Sequence, residues 1–169
     1  MFENQTTKEI QLDCDWTETT RARYFELIDQ IKKLSSKKNI EITATIRLHQ
    51  VKFFSKTGVP PLKRGMLMFY NMSDVSDIRT KNSIFDKDIA KSYLVNFDKY
   101  PLELDVVLPA FSWSCWFRNG KLKNLINGVG VKDLEFSSSF VKEDKNIFRA
   151  IKECSLKGNY ILSGDYLRT

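Results

Sequence analysis

Asp13 and Asp15 stand two residues apart in the segment Glu9-Ile-Gln-Leu-Asp-Cys-Asp-Trp. On an extended strand alternate side chains share a face, so both carboxylates point the same way. Acids side by side raise one another's proton affinity, which is what an acid/base pair or a metal site requires. The plainer alternative is a salt-bridged strand end, with Arg47 as the partner. His49, the only histidine, shares a strand face with Arg47 and is a candidate proton carrier or sugar hydrogen-bonding group. A histidine bonded to a backbone carbonyl is its structural counterpart. Asp13, Asp15 and His49 are therefore the catalytic candidates, and Arg47, Gln50, Tyr70, Asn71 and Trp113 the substrate-binding ones. Trp16, Trp113 and Trp116 fall at or beyond strand ends, where indole faces can stack on sugar C–H surface; plain burial is the alternative, above all for Trp116.

These residues need strands to position them. Residues 9–16 read as a strand ending in acids. A helix follows, with Tyr24, Leu27, Ile28, Ile31 and Leu34 on one stripe and Thr17 as its expected N-cap. Residues 40–50 alternate strictly: Ile40, Ile42, Ala44, Ile46 and Leu48 on one face, Glu41, Thr43, Thr45, Arg47 and His49 on the other. Residues 65–72 and 104–110 are two further strands. Between them Asp86 can cap a helix carrying Ile89, Ala90, Tyr93, Leu94 and Phe97. Strands separated by helices imply a parallel sheet with crossover connections. Beyond Phe111 the Asn119-Gly120 pair predicts a hairpin, residues 146–153 a short helix, and residues 160–162 a last strand.

Composition sets the bounds. With 169 residues, 42% of them hydrophobic and 28% charged, the chain is expected to be a soluble single α/β domain over residues 1–169. No apolar run approaches a membrane span, and Met1-Phe-Glu-Asn-Gln lacks the basic start and apolar stretch of a secretory signal. The net charge of +6 is scattered. Lys32, Lys33, Lys37 and Lys38 cluster where a helix ends and complement its dipole, so no nucleic-acid partner is expected. Cys14, Cys115 and Cys154 form no metal-ligand pattern and leave the compartment undefined.

The segments also resemble, in order, the later strands of family 18 chitinase-like barrels, through a family of bacterial proteins with a glycosidase-type TIM barrel. Glu9 to Thr17 is similar to the fourth strand and its D-x-x-D-x-D-x-E motif. Thr43 to Gln50 resembles the following strand, Met68-Phe-Tyr-Asn71 the M-x-Y-D segment of the sixth, and Leu108-Pro-Ala-Phe-Ser-Trp113 the L-P-x-Y-G strand. The resemblance implies a glycoside-hydrolase-like protein, binding or hydrolysing a glycan at the C-terminal ends of barrel strands. Asp13 and Asp15 match the second and third acids of the motif. Ile10 stands at the first, Thr17 where the catalytic glutamate belongs, and Asn71 replaces the acid of the sixth-strand segment. A threonine hydroxyl cannot protonate a glycosidic oxygen as a carboxylic acid does, so catalysis is left open beside a non-enzymatic glycan-binding module.

A full (β/α)8 barrel takes about 250 residues, so this chain would be its central to C-terminal portion. Open sheet edges would then favour self-association. Asp13-Cys-Asp-Trp-Thr17 also resembles the D-x-D-x-T nucleophile motif of haloacid-dehalogenase-type phosphatases, with Ser163-Gly-Asp165 imitating a later magnesium-binding acid. Magnesium is the cofactor under that alternative; otherwise none is expected.

Overall fold

The computed structural model describes residues 7–169. They divide into two compact units. The first runs through Tyr70 and adds Lys87–Leu108; the second joins Asn71–Asp86 to Pro109–Thr169.

In the first unit, β1 (Glu9–Leu12), β2 (Glu41–Arg47), β3 (Arg64–Met68) and β4 (Glu103–Val107) pair in parallel, in chain order. Helix α1 (Arg21–Ser36) connects β1 to β2. Two short helices, α2 (Leu48–Lys52) and α3 (Phe54–Thr57), follow β2. Helix α4 (Lys87–Tyr93) and a 3-10 turn (Leu94–Lys99) precede β4. Ile42, Ala44, Ile46 and Leu67 are buried on one face of the two central strands. The stripe on α1 is narrower than its periodicity predicts: Tyr24 and Ile28 are buried, whereas Leu27 and Leu34 are exposed.

The other face of this sheet is polar and bonded across strands. Thr43 Oγ1 donates to Glu9 at 2.7 Å and Thr45 Oγ1 to Asp13 at 2.8 Å, so two buried hydroxyls on β2 are satisfied by acids of the β1 segment. From β3, the Arg64 guanidinium pairs with Glu9 at 2.9 Å, with Glu41 at 3.0 Å and with Asp105. One side chain thereby ties together all four strands near their N-terminal ends. Both edges carry acids, Glu9 on β1 and Glu103 and Asp105 on β4, two of them tied to Arg64.

The second unit is antiparallel. Strands β5 (Trp113–Arg118), β6 (Lys121–Asn127), β7 (Phe140–Asp144), β8 (Ile147–Ala150) and β11 (Tyr166–Arg168) form a five-stranded sheet in the order β6-β5-β11-β8-β7. Helix α5 (Val131–Glu135) and a hairpin of β9 (Cys154–Leu156) and β10 (Asn159–Ile161) complete it. The β5–β6 turn is the expected Asn119-Gly120 pair, with φ of 51° and 71°, the positive values a two-residue hairpin turn demands. Trp116, Ile126, Leu134, Phe148, Ile161 and Leu167 make its core.

This arrangement overturns the TIM barrel. A (β/α)8 barrel, or a portion of one, continues strand–helix–strand in parallel; here a four-stranded parallel sheet is accompanied by a five-stranded antiparallel one, with five α-helices among the described residues. After Pro109 every strand pairing is antiparallel, with tight hairpin turns joining β5 to β6, β7 to β8 and β9 to β10. The helix expected at 146–153 is likewise strand β8, because Phe148 and Ala150 alternate inward while Ile147 and Arg149 are only partly buried. The four predicted strands also end earlier than expected, at Leu12, Arg47, Met68 and Val107. None of the described helices is long and apolar enough to cross a membrane.

Candidate functional site

The acids sit just beyond β1, in the connection to α1. Asp15 pairs with Arg47 Nε, and both side chains remain about half exposed, 51% and 42%. Asp13 accepts from Thr45. His49 and Gln50 do not extend β2, because the chain turns into α2 at Leu48. Gln50 causes the turn: its Oε1 accepts the Arg47 backbone N–H at 2.8 Å, capping the helix. Its Nε2 reaches the carbonyl of Trp16 at 3.4 Å, and the residue is fully buried. Gln50 thus links α2 to the β1–α1 connection. His49 is exposed on α2, and Tyr70 is half-buried after β3. Trp16 is a core residue, stacked on Tyr24 at 5.2 Å with its indole N–H on Thr57 O.

Thr17, at the position of the glutamate the resemblance calls for, is spent on starting α1. Its carbonyl accepts from Thr20 N and Arg21 N, and its own N–H donates to Thr20 Oγ1 at 2.9 Å. The helix itself begins one turn later than Thr17, with Thr20 at the N-cap. Beside the acids is a residue the sequence did not single out. The buried Tyr24 hydroxyl has no hydrogen-bond partner among the described residues, and its pKa is pushed up to about 12, by burial first and then by Cys14, Asp13 and Asp15.

Partial burial, then the Arg47 cation, hold the His49 imidazole below its ordinary value. The neutral form is therefore favoured by the fold at pH 7, and the stability this contributes is lost as pH falls through the lowered folded pKa. With one histidine in the chain, its ring protons are unambiguous in an NMR titration. The wild type should titrate below about 6.5, and Arg47→Met should move the midpoint upward. An unmoved midpoint would show that Arg47 does not govern it.

The acids of the phosphatase alternative are engaged by protein groups, Asp13 by Thr45. Asp15 is taken by Arg47. Asp165, in the second unit, receives Arg118, Trp116 Nε1 and Leu162 N. Among the described residues no three His, Cys, Asp or Glu side chains are grouped so as to hold a metal ion.

The remaining two candidates, Asn71 and Trp113, belong to the second unit. Asn71 is exposed with φ 55°, and Trp113 opens β5. Trp113 lines a cleft of about 960 Å3. Phe111 lies 5.1 Å from the Trp113 ring at an interplanar angle of 39°. Phe85 shares the cleft; it and Phe111 are 37% and 44% exposed, too much for core aromatics. Trp113 is held in place by its indole N–H on Ser83 Oγ at 3.2 Å, and Asn146 fixes the neighbouring segment through Lys81 O at 2.7 Å. Lys81, Arg79 and Lys145 stand around it. Of these residues only Trp113 was marked by the sequence. The Phe111-x-Trp113 spacing, two side chains on one side of an extended segment, was the available signal; Phe85, Lys81 and Lys145 come from elsewhere in the chain and carried none.

The molecule is thus an α/β protein of two units, a parallel sheet with a self-bonded polar face and an antiparallel unit with an aromatic cleft. No family model, curated protein or solved structure matches it.

Proposed function

We propose that this chain is a carbohydrate-binding protein that holds a glycan in the aromatic cleft of its second unit and does not hydrolyse it. The carrying observation is one cleft lined by three aromatic rings, the partly buried Trp113 packed on exposed Phe111, and exposed Phe85. Rigid, pre-positioned aromatic faces match the apolar C–H faces of sugar rings and lose little conformational freedom on binding. Hydrolysis would need a carboxylic acid poised as proton donor, and Thr17 supplies only a hydroxyl already used to start a helix.

Tryptophan fluorescence tests this directly. Trp16 and Trp116 are 2% and 9% exposed, so a quench on titrating oligosaccharides reports Trp113. Trp113→Ala should weaken binding about tenfold, the equivalent of about 1.4 kcal/mol, while Asp15→Asn leaves it unchanged. No response to any sugar would defeat the reading. A loss in Asp15→Asn with Trp113→Ala unaffected would move the site to the first unit.

A further inference from the structure

We propose that the cleft takes an acidic glycan, an oligosaccharide bearing uronate carboxylates, with Lys81 and Lys145 holding the carboxylate beside the stacked ring. This rests on the glycan reading above and specifies its ligand class. Three cations line the cleft. Arg79 is already paired with Asp77 at 3.1 Å, whereas Lys81 and Lys145 have no ion pair among the described residues. The one acidic side chain lining it, Asp144, has Oδ1 turned to the Lys145 backbone N–H at 2.7 Å, within its own β7–β8 turn. Two lysines without an ion pair among the described residues therefore line the same cleft as the aromatic rings.

Cation and ring face together select a ligand with an apolar face and a negative charge close to it. A neutral sugar uses only the rings and leaves both ammonium groups unmatched. A single-stranded nucleic acid also offers faces to stack, yet it carries a charge at every nucleotide and is held by a groove of many cations. Two free lysines suit the sparser charge of a sugar acid. Both project from the ends of ordered segments: Asn146 Nδ2 bonds Lys81 O at 2.7 Å and Thr169 O at 3.2 Å, which fixes the loop of one lysine against the turn of the other.

The probe is trigalacturonate, compared with its fully methyl-esterified form, which keeps the sugar and removes the charge. At low salt the wild type should bind the acid about five- to tenfold more tightly than the ester, the range expected for two exposed charge contacts. In the double variant Lys81→Gln/Lys145→Gln the two affinities should converge within about twofold. Both lysines are exposed, so the variant should keep its melting curve. Trp113→Ala should weaken acid and ester alike. Equal binding of both probes by the wild type, or a preference that survives the double variant, overturns the acidic-glycan inference while leaving the glycan reading standing. Binding of neither probe, nor of any other sugar, defeats the reading itself. A thymidine oligonucleotide that binds more tightly than trigalacturonate would replace both with single-strand recognition.

Discussion

Asp165→Ala should destabilise the second unit by about 3 kcal/mol, the largest single-residue effect expected in the protein. The carboxylate is 2% exposed and saturated: Arg118 Nε at 2.9 Å and Nη2 at 2.8 Å, Trp116 Nε1 at 2.8 Å and Leu162 N at 2.9 Å all donate to it. Removing it strands an indole N–H, a backbone N–H and a guanidinium that also stacks on the Trp116 ring at 4.9 Å. The figure is at the low end for a broken buried pair because the Arg118 side chain keeps 27% of its surface in water. Burial by itself would raise the Asp165 pKa, but Arg118 and the two N–H donors outweigh it and hold the carboxyl below the usual carboxylate range. The contribution is therefore complete above the unfolded value of about 3.9 and is lost as pH falls through the lower folded value. Urea unfolding at pH 7 and again near pH 3 checks both parts. The gap between wild type and Asp165→Ala should narrow in acid, and a gap independent of pH would show that the carboxylate charge is not what matters.

Arg168→Lys should be the second most damaging change, and worse than Arg168→Met. Arg168 is 1% exposed and has no ion pair among the described residues. Its guanidinium is satisfied by neutral acceptors: the carbonyl of Asp77, the carbonyl of Val75 at 3.3 Å and Cys115 Sγ at 2.9 Å, with Phe117 5.8 Å away. These bonds fasten the segment around residues 75–77 to β5 and β11. Methionine fills the same space and leaves carbonyls that the loop can turn to water, while also removing a buried cation that Asp74 and Asp77 act on only at longer range. The net loss is about 1–2 kcal/mol. Lysine keeps the charge, lacks the fork that reaches three acceptors at once, and buries an ammonium short of partners, for a loss of about 2–3 kcal/mol. Thermal melts rank the two variants, and amide exchange at residues 75–80 should accelerate in both. A lysine variant more stable than the methionine one would show that the charge, and not the fork, holds the segment.

Much of the first unit was legible because its signals are local. Alternation along Ile40 to Arg47 marked a strand with one apolar and one polar face, and the helix-then-strand order is that of a parallel sheet. The strand was drawn too long because its alternation runs on through His49, whereas a buried amide at Gln50 captures the Arg47 N–H and starts a helix. That event depends on Trp16 lying within reach of the same amide, 34 residues away in the chain. The hairpin at Asn119-Gly120 was readable from two residues alone, since few others accept positive φ at both positions. The barrel was not a local property. Whether strands continue in parallel or fold back is decided by pairings such as β11 with both β5 and β8, between residues some 20 to 50 positions apart.

The same division runs through the sites. The sequence by itself determined that two acids, an arginine and a histidine come from adjacent strands and their flanks, and that no glutamate stands at Thr17. It also determined three tryptophans without determining their environments. Tertiary structure alone decided that Trp16 and Trp116 are buried and hydrogen-bonded while Trp113 lines a cleft, because burial depends on which distant elements cover an indole. It alone showed that Asp165 of Ser163-Gly-Asp165 anchors both Arg118 and the buried Trp116. And it alone brought Lys81, Phe111 and Lys145 to one surface, since a cleft is made by elements that chain order keeps apart.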